Sequence, residues 1–151
     1  MANLRSFITD LAKAGGRIAR EHFHTISRKD VRVKADRDYV SHADGLVEDT
    51  LIRRIRAHHP DHQILGEESG SGGPATDGDA LWIIDPIDGT TNFIHGIAQF
   101  AISIAFCDGR GPHTAVVYDP IADEMFLAER GHGLWLNNDR RQTSGCASLR
   151  S

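Results

Sequence analysis

Apolar residues recur at helical spacing along the first part of the chain. Leu4, Phe7, Ile8, Leu11, Gly15, Ile18 and Phe23 fall on one face, which predicts an amphipathic helix over the first 23 residues. In "VRVKADRDYVS", Val31 and Val33 alternate as in a strand. Leu46, Val47, Leu51 and Ile55 then predict a second helix, with Asp44 near its positive N-terminal end, Pro60 beyond its finish, and Arg53, Arg54 and Arg56 on its wet side. After that the period changes. "HQILGEES" reads as a short strand ending in paired glutamates, "SGSGGPATDGDA" as a loop, and "LWIID" as the next strand. "FAISIAF", "TAVVYD" and "EMFLAE" are short β-rich runs split by turn residues, which predicts a meander. Two helices followed by a mostly antiparallel sheet give an α+β architecture. The last residues, "QTSGCASLRS", show neither a core pattern nor a helix cap, as if the chain stopped before its next element.

Composition narrows the function. A chain of 151 residues is near the size of one compact domain, 1–151, and its net charge of −4 offers no basic field for nucleic acid to follow. The longest apolar stretch, Phe100 to Phe106, is far short of the ~20 residues a membrane-spanning helix requires. The amphipathic N-terminal helix, interrupted by Arg5, Asp10 and Lys13, lacks the continuous apolar core of a secretory signal, so the expected location is the cytoplasm. Cys107 and Cys146 lack C-x-x-C spacing and read as free thiols. The run "HHPDH", His58 to His62, reads as a solvated helix end rather than a zinc site.

The candidate chemistry lies in "WIIDPIDGTTNFIHG", Trp82 to Gly96. A strand that ends in carboxylates puts them where open sheets bind ligands, and Pro86 restricts the backbone between Asp85 and Asp88. Gly89 permits a tight turn, and Thr90 or Thr91 can cap a following helix, whose first N–H groups would suit phosphate. Glu67 and Glu68, at the end of the preceding strand, bring up to four carboxylates to one sheet edge. That much negative charge beside a phosphate site calls for cations, and hard oxygen ligands suit Mg²⁺. Two metals ~3.5–4 Å apart would serve in-line hydrolysis of a phosphate monoester, with water as nucleophile held by Thr90 or a carboxylate. No Ser-His or Cys-His pair is spaced to suggest a covalent intermediate.

"GEESG" followed by "WIIDPIDGTTNFIHG" strongly resembles the inositol monophosphatase family of Mg²⁺-dependent, lithium-sensitive phosphatases. The likeness extends from "KADRDYVSHAD" through "AVVYDPIADEMFLAERGHGLWLN". It implies the N-terminal part of that family's layered αβαβα sugar-phosphatase fold, with the second α/β half absent. By resemblance, Glu67, Asp85, Asp88 and the Ile87 carbonyl are metal ligands. Glu67, Ile87, Asp88, Gly89 and Thr90 line the substrate phosphate. Asp44 pairs with Thr90 to orient the attacking water, Glu68 is a supporting carboxylate, and Lys34 matches a family lysine near the site. The implied substrate is inositol 1-phosphate or another small phosphorylated alcohol, and the implied assembly a homodimer. The family's second half carries a "W-D-x-A-A-G"-type motif with a further ligand, which this chain lacks. Against the enzyme stand two other readings: a non-catalytic interaction module, and a Mg²⁺-dependent anion binder without turnover.

Overall fold

In the computed structural model, which describes residues 4–25, 31–35, 38–70 and 80–145, the first apolar stripe forms helix α1, Leu4–His22. Phe7, Ile8, Leu11, Ala12 and Ala19 are buried, and Arg20 and His22 occupy the last turn, where basic groups complement the helix dipole. Gly15 and Gly16 lie on the buried side too. A Cβ on Gly15 would approach Val47 Cγ1 at 3.1 Å and Ile102 Cγ2 at 3.3 Å, so the bare backbone sets how closely the helix lies to its neighbours. A Cβ on Gly16 would come within 2.5 Å of Tyr118 Cε1 and 3.0 Å of Pro120 Cβ. Tyr118 is itself tethered, its hydroxyl donating to Asp123 Oδ1 at 2.8 Å. Gly16→Ala is therefore expected to cost about 1–3 kcal/mol through overpacking, seen as a lower urea midpoint at constant m-value. A wild-type midpoint would mean that the helix yields freely at this point.

A hairpin of β1 (Val31–Ala35) and β2 (Asp38–Ser41) leads straight into α2 (His42–His58). Val47, Leu51 and Ile55 are buried at helical spacing, and Arg53, Arg54 and Arg56 face water. Asp44 and Glu48 share the buried face, one turn apart.

The rest of the chain supplies β3 (Gln63–Gly66), β4 (Leu81–Asp88), the short helix α3 (Thr90–Ile94), β5 (Ala101–Asp108), β6 (Gly111–Asp119), β7 (Glu124–Glu129), β8 (Gly133–Leu136) and β9 (Asp139–Arg141). The strands from β3 to β9 form one sheet in sequence order. β3 and β4 pair in parallel, and the pairs from β4 onward are antiparallel, in keeping with the expected α+β class. α1 lies against α2, β5 and β6, while α2 lies against β4. Trp82, Ile84, Ile102, Ile104, Val116 and Leu127 make the core on that side. Strand alternation turns Leu65, Ile83, Val117 and Phe126 the other way, each 40–41% exposed.

Several elements differ from the sequence reading. β4 does not stop at Asp85 but continues through Pro86 to Asp88, which pairs with Ala101 after a register shift. The shift accommodates Pro86, which has no N–H to give to a regular ladder. "GLWLNNDRR" forms the β8–β9 hairpin, turning at Asn137 with φ 55, a left-handed conformation that asparagine tolerates. The helix-end histidines are not simply solvated. His59 and His62 stack at 4.5 Å beside Trp82, whose indole N–H donates to His62 Nδ1 at 3.1 Å. Burial, followed by the neighbouring His62 and His58, lowers the pKa of His59. Cys107 is a buried free thiol; Cys146 lies outside the described residues.

Candidate functional site

Parallel pairing sets Gly66 beside Ile84, so Glu67 and Asp85 follow next to one another at the C-terminal ends of β3 and β4. The Glu67 N–H donates to the Ile84 carbonyl at 3.1 Å and extends the ladder to this point. A groove of ≈ 360 Å³ opens there, lined by Leu65, Gly66, Glu67, Ile83, Ile84, Asp85 and Ser103. Burial pushes Asp85 up to about 7, and the charge of Glu67, a hydrogen bond with Glu67, and the charges of Asp88 and Asp44 act in the same direction. Two carboxyl groups can share a hydrogen bond only when one keeps its proton. The Oδ1 atom of Asp85 is buried and has no hydrogen-bond partner among the described residues.

Asp88 is exposed at the end of β4, and Gly89 follows it with φ 94. Glycine is required at that turn, because a Cβ would also lie 3.0 Å from the Gln99 carbonyl. The expectation that a threonine hydroxyl caps the next helix is corrected here: Gly89 is the N-cap of α3, without a side-chain cap bond. The Thr90 hydroxyl is directed elsewhere, 3.2 Å from Asp44 Oδ1 and 3.0 Å from the Ile87 carbonyl. A hydroxyl has one proton, so the two acceptors share it. Asp44 is fully buried at the first turn of α2, which holds its carboxylate toward Thr90.

The fold thus brings Glu67, Asp85, Asp88, Asp44, Thr90 and the Ile87 carbonyl to one end of the sheet. Glu68 enters differently: its main-chain N–H donates to Glu48 Oε2 at 2.9 Å, and that of Ser69 to Glu48 Oε1 at 2.8 Å. Lys34 lies in β1, and the companion strand β2 packs against α3. Glu48 escaped the sequence reading. Its only signal was its position four residues after Asp44, on the face shared with Val47 and Leu51.

Among the described residues, no three His, Cys, Asp or Glu side chains are drawn together closely enough to form a ready metal cage. Like charges at this edge repel, and the shared proton between Asp85 and Glu67 relieves only part of that repulsion. The donor chemistry nevertheless fits a hard cation. It is all oxygen, and it includes the buried Asp85 Oδ1, unpartnered among the described residues.

A carboxylate edge beside a Thr–Asp hydrogen bond is a specific combination, and it occurs in a chain whose residues 1–151 match the model of the inositol monophosphatase family. The chain belongs to that family. It is 47% identical over 133 residues to the Nus factor SuhB of Pseudomonas aeruginosa, an alignment covering 84% of this chain and 48% of that protein. It is 38% identical over 142 residues to inositol monophosphatase 1 of Solanum lycopersicum, covering 93% of this chain and 51% of that protein. The crystal structure of the extragenic suppressor protein suhB from Bartonella henselae superposes with a TM-score of 0.87 at 35% identity, over 93% of this chain and 54% of that one. The chain spans about half the length of the curated relatives it matches. Within the described residues, no helix is long and apolar enough to cross a membrane.

Proposed function

We propose that this inositol monophosphatase-family chain carries the metal- and phosphate-facing edge of a Mg²⁺-dependent phosphomonoesterase, acting on inositol 1-phosphate or a related small sugar phosphate. The observation that carries the reading is the Thr90–Asp44 hydrogen bond at 3.2 Å, placed beside the half-buried Asp85, whose buried Oδ1 has no hydrogen-bond partner among the described residues. Glu67, Asp85, Asp88 and the Ile87 carbonyl would hold the cation. When bound, it neutralises the carboxylates and supplies Lewis-acid charge to the phosphoryl oxygens.

The chain's own groups do the rest. Asp44 accepts the Thr90 proton and so turns a lone pair of Oγ1 outward, where it can accept a hydrogen bond from water. The oriented water oxygen forms a bond to phosphorus as the ester P–O bond breaks; its proton passes toward Thr90 and Asp44, and the departing alcohol oxygen takes one up. Gly89 lets the backbone approach the phosphate closely. Glu68 serves as a supporting carboxylate. Lithium inhibition, a cytoplasmic setting and a homodimer belong to the same family-based reading.

The test is phosphate release from inositol 1-phosphate by the purified chain, with Mg²⁺ and with chelator. No Mg²⁺-dependent release from the folded chain would reduce the site to a binding edge. Thr90→Ala is expected to lower kcat by about 10²-fold, the usual scale for a group assisting proton transfer, while changing Mg²⁺ affinity little. The reverse pattern, in calorimetry and steady-state kinetics, would remove Thr90 from the water-orienting role.

A second reading has its own support. One relative bears the name Nus factor, and the sheet face opposite the helices exposes Leu65, Ile83, Val117 and Phe126. An interaction module would use that apolar face and keep its function in variants of the carboxylate edge.

A further inference from the structure

Helix α2 buries two acidic side chains, and only Asp44 belongs to the proposed chemistry. Glu48, 3% exposed, is fully engaged: each of its oxygens accepts one main-chain N–H, from Glu68 at 2.9 Å and from Ser69 at 2.8 Å. Two charge-assisted bonds satisfy a carboxylate that would otherwise be costly to bury. The seat is shaped for it. A Cβ on Gly66 would lie 2.6 Å from Glu48 Cδ and Oε2 and 2.8 Å from Oε1, so any other residue at the end of β3 would collide with the carboxylate.

We propose that Glu48 is a positioning residue for the carboxylate edge. It clamps the turn after β3 that carries Glu67 and Glu68, and so fixes Glu67 against Asp85. One turn earlier on the same helix face, Asp44 bonds Thr90 in the turn after β4. α2 is then a common brace whose two successive acidic side chains hold the two turns in one relation. The chemistry requires both carboxylate oxygens. Glutamine keeps one acceptor and turns an NH₂ toward the second N–H, and aspartate is one methylene too short. The inference rests on reading Glu67 as a metal ligand, and the experiment separates the two.

Glu48→Gln and Gly66→Ala are compared with Leu51→Ala, which removes core volume from the same helix without touching either turn. The readouts are amide exchange at Glu68 and Ser69 by NMR and Mg²⁺ affinity of the folded chain by calorimetry. Glu48→Gln and Gly66→Ala are expected to speed exchange at both amides and to weaken Mg²⁺ binding about 10–100-fold, the scale for residues that orient metal ligands. Leu51→Ala is expected to lower the unfolding midpoint and leave the affinity unchanged. Protected amides in Glu48→Gln would overturn the clamp. Lost protection with unchanged affinity would overturn the positioning role, as would an equal loss of affinity in Leu51→Ala. If the unsubstituted chain takes up no Mg²⁺, the proposed function fails, and exchange alone decides whether Glu48 holds the turn.

Discussion

Asp88→Asn is expected to lower Mg²⁺-dependent phosphate release by about 10²–10³-fold, the loss typical when one electrostatic stabiliser of a developing charge is removed. The fold should barely notice. The Asp88 side chain is exposed at the end of β4, where its backbone makes the strand's last pairing, with Ala101, and asparagine preserves its shape. What the substitution removes is the negative charge. That charge is one of those pushing Asp85 up, so it acts on the same spot as the buried Asp85 oxygen. Steady-state phosphate release and a urea midpoint on the same preparation check both halves of the expectation. Full activity would take Asp88 out of the site, and a collapsed midpoint would make it a structural residue.

Much of the fold could be read from periodicity because both helices and the central strands bury one clear face. Val47, Leu51 and Ile55 are spaced so that only a helix unites them, and the buried set does so. Where the reading fell short, a local device overrode the pattern. Pro86 ended the expected strand on paper, yet β4 absorbs it at a register shift, which only the pairing with β5 reveals. The β8–β9 hairpin has too few apolar positions to announce itself, and β9 is exposed throughout. It depends on Asn137, whose left-handed turn and whose side-chain bond to the Met125 N–H at 2.9 Å tie the hairpin to β7.

The candidate site divides in the same way. Glu67, Asp85, Asp88, Gly89 and Thr90 stand in two short segments, each following an apolar strand, so their approach could be argued from strand ends alone. Asp44 could be singled out only through the family resemblance, because an acidic residue at a helix start is otherwise ordinary dipole chemistry. Glu48 left almost no trace in the sequence. Its role depends on a contact between α2 and the turn after β3, about twenty residues on, and a buried glutamate shows itself only when its partners are seen. The threonine cap failed because of position: Gly89 takes the N-cap place, so Thr90 already lies inside α3, with its hydroxyl aimed back at Asp44 and the Ile87 carbonyl and accepting no first-turn N–H.

Mg²⁺ is expected to raise the unfolding midpoint of the chain at about pH 8, and to do so progressively less as the pH falls through about 7. The sign follows from Asp85. Its folded-state pKa is raised from 3.8 to about 7, first by burial and then by Glu67, so the folded chain keeps a proton that the unfolded chain releases near 4. Without a cation, the favourable contribution of that retained proton is fully present below about pH 4 and is lost as the pH rises to about 7, beyond which the folded edge bears an ionised, crowded Asp85. A cation that binds the ionised oxygens competes with the proton and relieves that crowding, so its effect grows over the same interval. At a concentration of 100 times the dissociation constant, it should add about 2.7 kcal/mol to stability. Urea midpoints with and without Mg²⁺ at about pH 5, 7 and 8 measure this directly. Glu67→Gln, which removes the largest neighbouring charge, should shift the pH dependence of the Mg²⁺ effect downward and shrink its size. A Mg²⁺ effect that is the same at every pH would place the cation away from Asp85 and leave the shared proton as the way this edge manages its charge.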